Sequence, residues 1–228
     1  MFNYEMDPSL LVPLVPRGTE LDAWNGTTYA SIVAFRFQRT RILGIPVPLH
    51  RDFEEANLRF YVRRQSGAEL RRGVVFIREI VPRRAVAALA RWLYNEPYRA
   101  LPMRSSIETT PHLSVQYSWQ ISSVWHTVAA RAGQPLAPPA ARSFEQFIAE
   151  HYWGYTRQRD GSTIEYHVTH PPWAVVPAES HRIDADLTAL YGPAFAACLA
   201  QPLSVFLAAG SLVTVSRPVP LEREQEES

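Results

Sequence analysis

Lysine is absent from this chain of 228 residues, so all 23 basic side chains are arginine. A lysine amine can be tuned to act as a nucleophile that condenses with a carbonyl group, whereas arginine stays protonated and does not. Schiff-base chemistry on a side chain is therefore excluded. The only primary amine of the sequence is the α-amino group of Met1.

Cysteine, net charge and long apolar runs are also scarce. A single cysteine, Cys198, excludes an internal disulfide and a multi-cysteine metal site, and its apolar surroundings predict a buried structural thiol. The net charge of +1 gives no basic field for nucleic acid. The longest apolar stretch, 203–215, is too short to span a bilayer, and the start lacks the features of a signal peptide. We therefore expect a soluble cytoplasmic protein with no nucleic-acid or membrane partner.

Phosphate-binding glycine loops, nucleophile elbows and zinc-protease motifs are missing as well. His167 and His170 are three residues apart on a predicted strand, which turns their rings to opposite faces and disfavours a metal pair. The sequence accordingly predicts neither a cofactor nor a metal.

What is present is a pattern of strands with a few helices. Asn25-Gly26 and Asp160-Gly161 are strong hairpin signals, residues 56–64 and 73–81 read as strands, and residues 83–94 have helical periodicity. Ser143 and Gln146 form a capping box that starts another helix. About eight strands and three or four helices predict an α+β fold with a mainly antiparallel sheet, curled into a cone or barrel, and with peripheral helices. We expect one domain, residues 1–220, and a polar disordered tail, 221–228.

A row of polar side chains is the most suggestive pattern. Strand alternation places five of them on one face of the strand after residue 53, and we call them the polar row: Glu55, Asn57, Arg59, Tyr61 and Arg63. Such a row is most often a solvated face. The alternative is a barrel lumen, where the same side chains would line a polar pocket.

Two further runs carry candidate residues. Arg78 and Glu79 point to opposite faces of their strand, and a buried arginine there needs either a carboxylate or an anionic ligand. The aromatic runs 151–155 and 166–173 can wall an apolar pocket with polar tips, although such residues more often form ordinary core and rim.

Taken together, these segments resemble the uncharacterised bacterial family typified by YqjF, in the acetoacetate decarboxylase-like superfamily. The matching segments are SIVAFRF (31–37), PVPLHRDFEEANLRFYVR (46–63), GVVFIREIVPRRAVAALARWLYNEPY (73–98) and HYWGY…HPPW (151–173). The resemblance implies an antiparallel β-cone or barrel with an interior pocket, often in an oligomer.

The resemblance also indicates the position at which the decarboxylases carry a lysine that this chain lacks. The decarboxylases carry a Pro-Lys-Lys motif whose first lysine forms the Schiff base, and the similar position here reads Pro82-Arg83-Arg84. The nucleophile would fall on Arg83, which cannot act as one. The decarboxylases also use a glutamate and an arginine in the pocket, for which Glu55 and either Arg36 or Arg59 are candidates.

Two main functions follow, and the sequence does not decide between them. The first is a module that binds a small organic acid or carbonyl compound, and the second is an enzyme with non-covalent acid–base chemistry on a keto or enol acid. An oligomeric structural protein is a third. In the ligand interpretations Glu55 is the acid–base candidate, and Arg59 or Arg78 holds the carboxylate. The other predicted ligand-binding residues are Arg36, Asn57, Tyr61, Tyr94, Tyr152 and Trp173.

Overall fold

The computed structural model describes residues 1–42, 45–46, 51–133 and 135–221. In chain order its strands are β1 (Phe2–Met6), β2 (Glu20–Leu21), β3 (Ala23–Trp24), β4 (Thr27–Phe37), β5 (Arg41–Ile42), β6 (Ile45–Pro46), β7 (Phe53–Ser66), β8 (Glu69–Val81), β9 (Tyr98–Ala100), β10 (Met103–Glu108), β11 (Leu113–Ile121), β12 (Val124–Ala132), β13 (Trp153–Arg157), β14 (Thr163–Thr169), β15 (Val175–Pro177), β16 (Ser180–Asp184), β17 (Ser204–Ala208), β18 (Thr214–Val215) and β19 (Val219–Pro220). The helices are α1 (Pro8–Leu11), α2 (Arg84–Leu93), α3 (Phe144–Ala149), α4 (Leu187–Tyr191) and α5 (Pro193–Cys198), and a 3₁₀ turn covers Val12–Leu14.

Most strands belong to two sheets. The large sheet has the order β15-β17-β1-β4-β7-β8-β13-β14-β18, and four short strands pair alongside this path. The smaller sheet has the order β10-β11-β12-β16. Pairing is antiparallel except between β8 and β13 and between β8 and β9. The α+β class with a mainly antiparallel sheet is thus confirmed. Within the described ranges the large sheet is an open path, so closure into a barrel is not confirmed.

The main core lies between the two sheets. Leu58 and Phe60 of β7 share one buried cluster with Trp119 of β11 and Val128 of β12. Because side chains alternate along a strand, this packing uses only one face of β7. The opposite face carries the polar row.

Two helices bury the other face of the large sheet. Phe147 of α3 packs with Tyr61 of β7 in a second cluster, and Ala87 of α2 packs with Phe53 and Val81 in a third. The central strand is therefore covered on both sides. This layering places the polar row in the interior.

Local sequence signals define several element boundaries as predicted. Asn25 and Gly26 have φ angles of 50° and 83°, the left-handed geometry of a two-residue turn, and they join β3 to β4. The Ser143 hydroxyl accepts a hydrogen bond from the Gln146 amide (3.2 Å) at the start of α3. The number of strands exceeds the predicted eight, because two- and three-residue strands pair at sheet edges where no periodicity announces them.

Three other sequence predictions have different outcomes. Cys198 packs against the main core but is only partly buried, which is less burial than the predicted buried structural thiol. The predicted tail lies outside the described residues except for Leu221, and the single domain stays a prediction. None of the described helices has the length and apolar character needed to cross a membrane.

Candidate functional site

The polar row is buried along most of its length. Glu55, Asn57 and Tyr61 are 2%, 1% and 1% exposed, and Arg59 is half-buried. Only Arg63 behaves as a solvated residue, since its side chain is 42% exposed and its Nε donates to Glu20 (2.8 Å). The solvated-face interpretation is therefore wrong for the other four residues. The covering helices explain the difference.

Three carboxyl groups meet at one end of this face, and we call Glu55, Glu79 and Glu96 the carboxyl cluster. Glu79 lies on β8 beside Asn57, its cross-strand partner, and Glu96 precedes β9. All three are at most 4% exposed. Asn57 Nδ2 donates to Glu55 Oε1 (2.9 Å), and the hydroxyl of the half-buried Tyr98 donates to Glu55 Oε2 (3.0 Å).

Hydroxyl groups from β13 and β14 complete the cluster. Tyr166 donates to Glu96 Oε1 (2.9 Å), and the Thr156 hydroxyl donates to the same oxygen. The Tyr94 ring packs edge-on against Tyr166 at 5.1 Å between centroids, so the predicted wall residue Tyr94 lies here. Tyrosine and threonine hydroxyl groups thus donate hydrogen bonds to Glu55 and Glu96. Among the described residues, no arginine lies within ion-pair distance of any acid of the carboxyl cluster.

Burial makes these acids hard to ionise. Burial raises the pKa of Glu55 to about 7, although hydrogen bonds from Asn57 and Tyr98 and the charge of Arg59 act to lower it. It raises the pKa of Glu96 to about 7 as well, against hydrogen bonds from Thr156 and Tyr166. Burial and the neighbouring Glu96 and Glu55 carboxyls raise the pKa of Glu79 well above its usual range. Near neutral pH the cluster therefore holds protons that exposed glutamates would have lost.

Arg59 is the cation of this face. Its Nε is buried without a hydrogen-bond partner, and its guanidinium lies 5.9 Å from the centre of the Tyr61 ring. Burial is the main cause of the pKa shifts of Glu55, His151 and His170, and the Arg59 charge also lowers each of these pKa values. The Arg59 charge therefore acts both on the carboxyl cluster and on two histidines.

A buried histidine lies beyond Tyr61 on the same face. His151 Nε2 is 3.2 Å from Asp22 Oδ2, and that oxygen also accepts from Arg72 Nε (2.7 Å). Burial lowers the pKa of His151 to about 4, against the hydrogen bond with Asp22. Although burial opposes its ionisation, hydrogen bonds with His151 and Arg72 hold the pKa of Asp22 below its usual value. At neutral pH this group is a neutral imidazole beside a paired carboxylate.

Aromatic rings form the rim near Arg59. His170 stacks on Trp173 with 4.0 Å between centroids and lies 4.9 Å from Tyr152. The predicted wall residues Tyr152 and Trp173 are thus brought together by His170. A surface groove of about 480 Å³ runs beside α3, and its lining includes Tyr152 of this rim together with Trp24, Arg72, Phe147, Glu150 and Trp153.

Arg78, Arg36 and Arg83 do not join this constellation. Arg78 pairs with Leu58 across the strands and so faces the main core, where its Nε is buried without a partner. The structural ion pair expected for a buried arginine is absent there among the described residues. Arg36 and Arg83 are both exposed, and Arg83 precedes the first turn of α2.

Sequence reasoning missed several residues of the site. The sequence places Glu79 on a strand but predicts no partner for it, because the register that puts it beside Asn57 is not visible in the sequence. Glu96 contacts Tyr166, which lies 70 residues further along the chain, and no periodicity links the two. The described residues contain no group of three or more histidine, cysteine or acidic side chains arranged to hold a metal ion.

Comparison with known proteins gives the family. The model of DUF2071, described as an uncharacterized conserved protein, matches residues 1–211. The chain belongs to this family. It is 28% identical over 182 residues to the uncharacterized protein YqjF of Bacillus subtilis. The aligned region covers 78% of this chain and 72% of that relative.

Solved structures show the fold. Acetoacetate decarboxylase from Legionella pneumophila matches with a TM-score of 0.64 at 16% identity, over 97% of this chain and 83% of that chain. The enduracididine biosynthesis enzyme MppR, complexed with pyruvate, matches with a TM-score of 0.55 at 13% identity, over 93% of this chain and 86% of that chain. This DUF2071 chain thus has an acetoacetate decarboxylase-like fold.

Proposed function

We propose that this DUF2071 protein binds a small organic acid or carbonyl compound on the polar row, without forming a Schiff base on a side chain. The observation that carries this proposal is Arg59, a half-buried guanidinium whose buried Nε has no partner. A buried guanidinium is costly unless an anion pairs with it, and its planar fork matches a carboxylate. The ligand carboxylate is that anion.

The neighbours of Arg59 suit the rest of such a ligand. Protonated carboxyl groups donate hydrogen bonds, so the cluster can hold a carbonyl oxygen that an ionised glutamate would repel. The ring of Tyr61 and the stack of Tyr152, His170 and Trp173 offer apolar walls. Pyruvate, which the fold neighbour MppR binds, is a ligand of this class.

A thermal-shift screen against short carboxylic, 2-keto and 3-keto acids tests the proposal. A ligand at 100 times its Kd adds about 2.7 kcal/mol to stability, which for a chain of this size raises the Tm by roughly 5–10 °C. Arg59→Gln should abolish the shift. Arg63→Gln is the matched control, because it removes an exposed arginine from the same row and should leave the shift intact. If no acid raises the Tm, or if both variants respond alike, the proposal is wrong.

Acid–base catalysis is a second candidate, and it depends on Glu55. A carboxyl group whose pKa is about 7 is suited to exchanging protons near neutral pH. We expect exchange of the protons adjacent to the carbonyl of a bound keto acid in deuterium oxide, followed by NMR. Glu55→Gln should stop the exchange, whereas Glu54→Gln, on the neighbouring residue and opposite face, should not. Exchange at the uncatalysed rate in the unmodified protein would leave binding alone as the function.

Two structural expectations from the resemblance belong to the same proposal. In a curled sheet the polar row would line the inside of a cone, and in a homo-oligomer several such sites would occur in one particle. Light scattering on the purified protein measures the mass, and a value of 25.9 kDa would reject the oligomer.

A further inference from the structure

The surface groove beside α3 is not used by the organic-acid proposal, although it has the size of a small-molecule site. Its volume of about 480 Å³ lies within the range of about 300–1,000 Å³ that is usual for such sites. Strands β3, β8 and β13 and helix α3 each contribute side chains to its lining. The groove is therefore assembled by the tertiary fold, from segments that are distant in the sequence.

Trp24 provides an aromatic ring that a ligand can reach. It packs at tilted angles on Phe144 and Phe147 of α3, with 6.5 and 5.7 Å between ring centroids, and it remains partly exposed. The second tryptophan of the groove, Trp153, is already covered, since the Arg71 guanidinium lies 4.2 Å from the centre of its ring and His167 stacks on it at 4.7 Å. Trp24 is thus the flat apolar surface of the groove.

Polar groups lie next to this ring and are held in place before any ligand binds. The Arg72 guanidinium lies 4.7 Å from the centre of the Phe147 ring, and its Nε donates to Asp22 (2.7 Å). Trp24 and Arg72 therefore pack on the same phenylalanine. Glu150 ends α3 three residues after Phe147, and its Oε2 accepts a hydrogen bond from Gln146 Nε2 (3.1 Å).

The charges of the groove balance. Glu69 accepts from Arg71 (2.9 Å), as Asp22 accepts from Arg72, so neither side of the groove carries a lone buried charge. An ion of either sign would gain one partner here and meet a like charge beside it. Carboxylates and guanidinium groups are equal in number among the described lining residues, namely Glu69, Glu150, Arg72 and Arg142.

A neutral ligand with many hydroxyl groups matches these features. A guanidinium only donates hydrogen bonds and a carboxylate only accepts them, whereas a hydroxyl group does both. We infer that the groove binds a neutral saccharide, with the apolar C–H face of a sugar ring on Trp24 and its hydroxyl groups bonded to Arg72 and Glu150. Arg59 has no part in this site, so the inference goes beyond the proposed function and does not depend on it.

Titration calorimetry with cellobiose, maltose, lactose and N,N′-diacetylchitobiose tests the inference. At least one of these neutral disaccharides should bind with a Kd below about 1 mM. Trp24→Ala removes the ring contact and Glu150→Gln removes the charged acceptor, so each should weaken binding about fivefold or more. Trp92→Ala, at a tryptophan that is 79% exposed on α2, and Glu145→Gln, in the first turn of α3, are the matched controls and should leave the Kd unchanged.

Further ligands test the neutrality of the site on the unmodified protein, even where Trp24→Ala does not fold. If glucuronate or glucosamine binds more tightly than glucose, the groove selects an ion and the neutral ligand is wrong. If adenosine binds more tightly than every sugar, the site suits a nucleobase and the saccharide is wrong. If no sugar binds, or if Glu150→Gln binds as well as Glu145→Gln, the inference fails. Arg59→Gln should leave sugar binding unchanged, so each of these failures leaves the organic-acid function standing.

Discussion

Glu55, Glu79 and Glu96 show how residues that resemble surface charges become interior groups. Each carboxyl group accepts hydrogen bonds or faces another acid, and none forms an ion pair with arginine among the described residues. Taking an unpaired carboxylate out of water costs several kcal/mol, so such groups retain their protons instead. The cluster is therefore stable as a hydrogen-bonded group of acids and unstable as a group of anions.

The raised pKa of Glu96 predicts a pH-dependent stability. Its folded-state pKa of about 7 lies above the ordinary 4.5, so the folded protein holds more protons than the unfolded chain between these values. Stability should consequently fall as the pH rises from 5 to 8. Glu96→Gln should remove part of this loss. The free energy of unfolding of the variant, minus that of the unmodified protein, should therefore increase by about 1–3 kcal/mol between pH 5 and pH 8.

Urea unfolding of both proteins at pH 5, 6, 7 and 8 measures the difference. His151, whose pKa is lowered, gives the opposite slope at acid pH, but its contribution is shared by both proteins and cancels in the comparison. Glu108 is exposed, so Glu108→Gln is the control. Its free energy of unfolding should change with pH in the same way as that of the unmodified protein. A Glu96→Gln difference that does not change with pH would contradict the burial of an ionisable acid here.

Gly154 predicts a second effect at the residue scale. A Cβ atom built at this position would lie 2.1 Å from Cζ of Tyr166, the tyrosine that donates to Glu96. Gly154→Ala should therefore displace Tyr166 and destabilise the protein by about 1–3 kcal/mol. Gly210→Ala is the matched control, since no heavy atom lies within 4 Å of its Cβ position. Equal midpoints of urea unfolding for the two variants would refute the close contact.

At the scale of elements, β7 shows what a sequence pattern can predict and what it cannot. Its alternation correctly predicts which side chains share a face, because that follows from strand geometry. It cannot predict what packs on each face. The main core covers one side and α2 and α3 cover the other, through residues distant in the chain. Register and covering layers, which decide the role of Glu79 and Glu96, arise from tertiary packing.

The capping of α3 predicts a change in stability. Ser143 caps this six-residue helix, whose Phe147 and Ile148 are buried against the large sheet. Ser143→Ala removes the acceptor for the Gln146 amide and should lower the free energy of unfolding by about 1 kcal/mol. Ser106→Ala, on an exposed position of β10, should change it by less than about 0.5 kcal/mol. Urea unfolding with equal losses in both variants would show that the cap does not stabilise the helix.

At the scale of the whole molecule, the absence of lysine means that no side chain of this protein can form the Schiff base on which such decarboxylation depends. Borohydride reduction in the presence of acetoacetate should leave every side chain unmodified. Intact mass and peptide mapping measure this, and they distinguish side chains from the α-amino group of Met1, which donates to the Phe206 carbonyl (2.8 Å). A reduced adduct on any side chain would contradict the prediction. A lysine-containing decarboxylase of the same fold, which should be modified, is the positive control.

The buried carboxyl cluster also links any charged ligand to the hydrogen ions of the solution. If a ligand carboxylate neutralises the charge of Arg59, which lowers the pKa of Glu55, the proton affinity of Glu55 rises and this group takes up protons from the solvent near pH 7. The heat of binding would then depend on the buffer that supplies them. Titrations in Bis-Tris and in Tris at the same pH, neither of which offers an anion to Arg59, should give different enthalpies but the same affinity, and the difference counts the protons taken up.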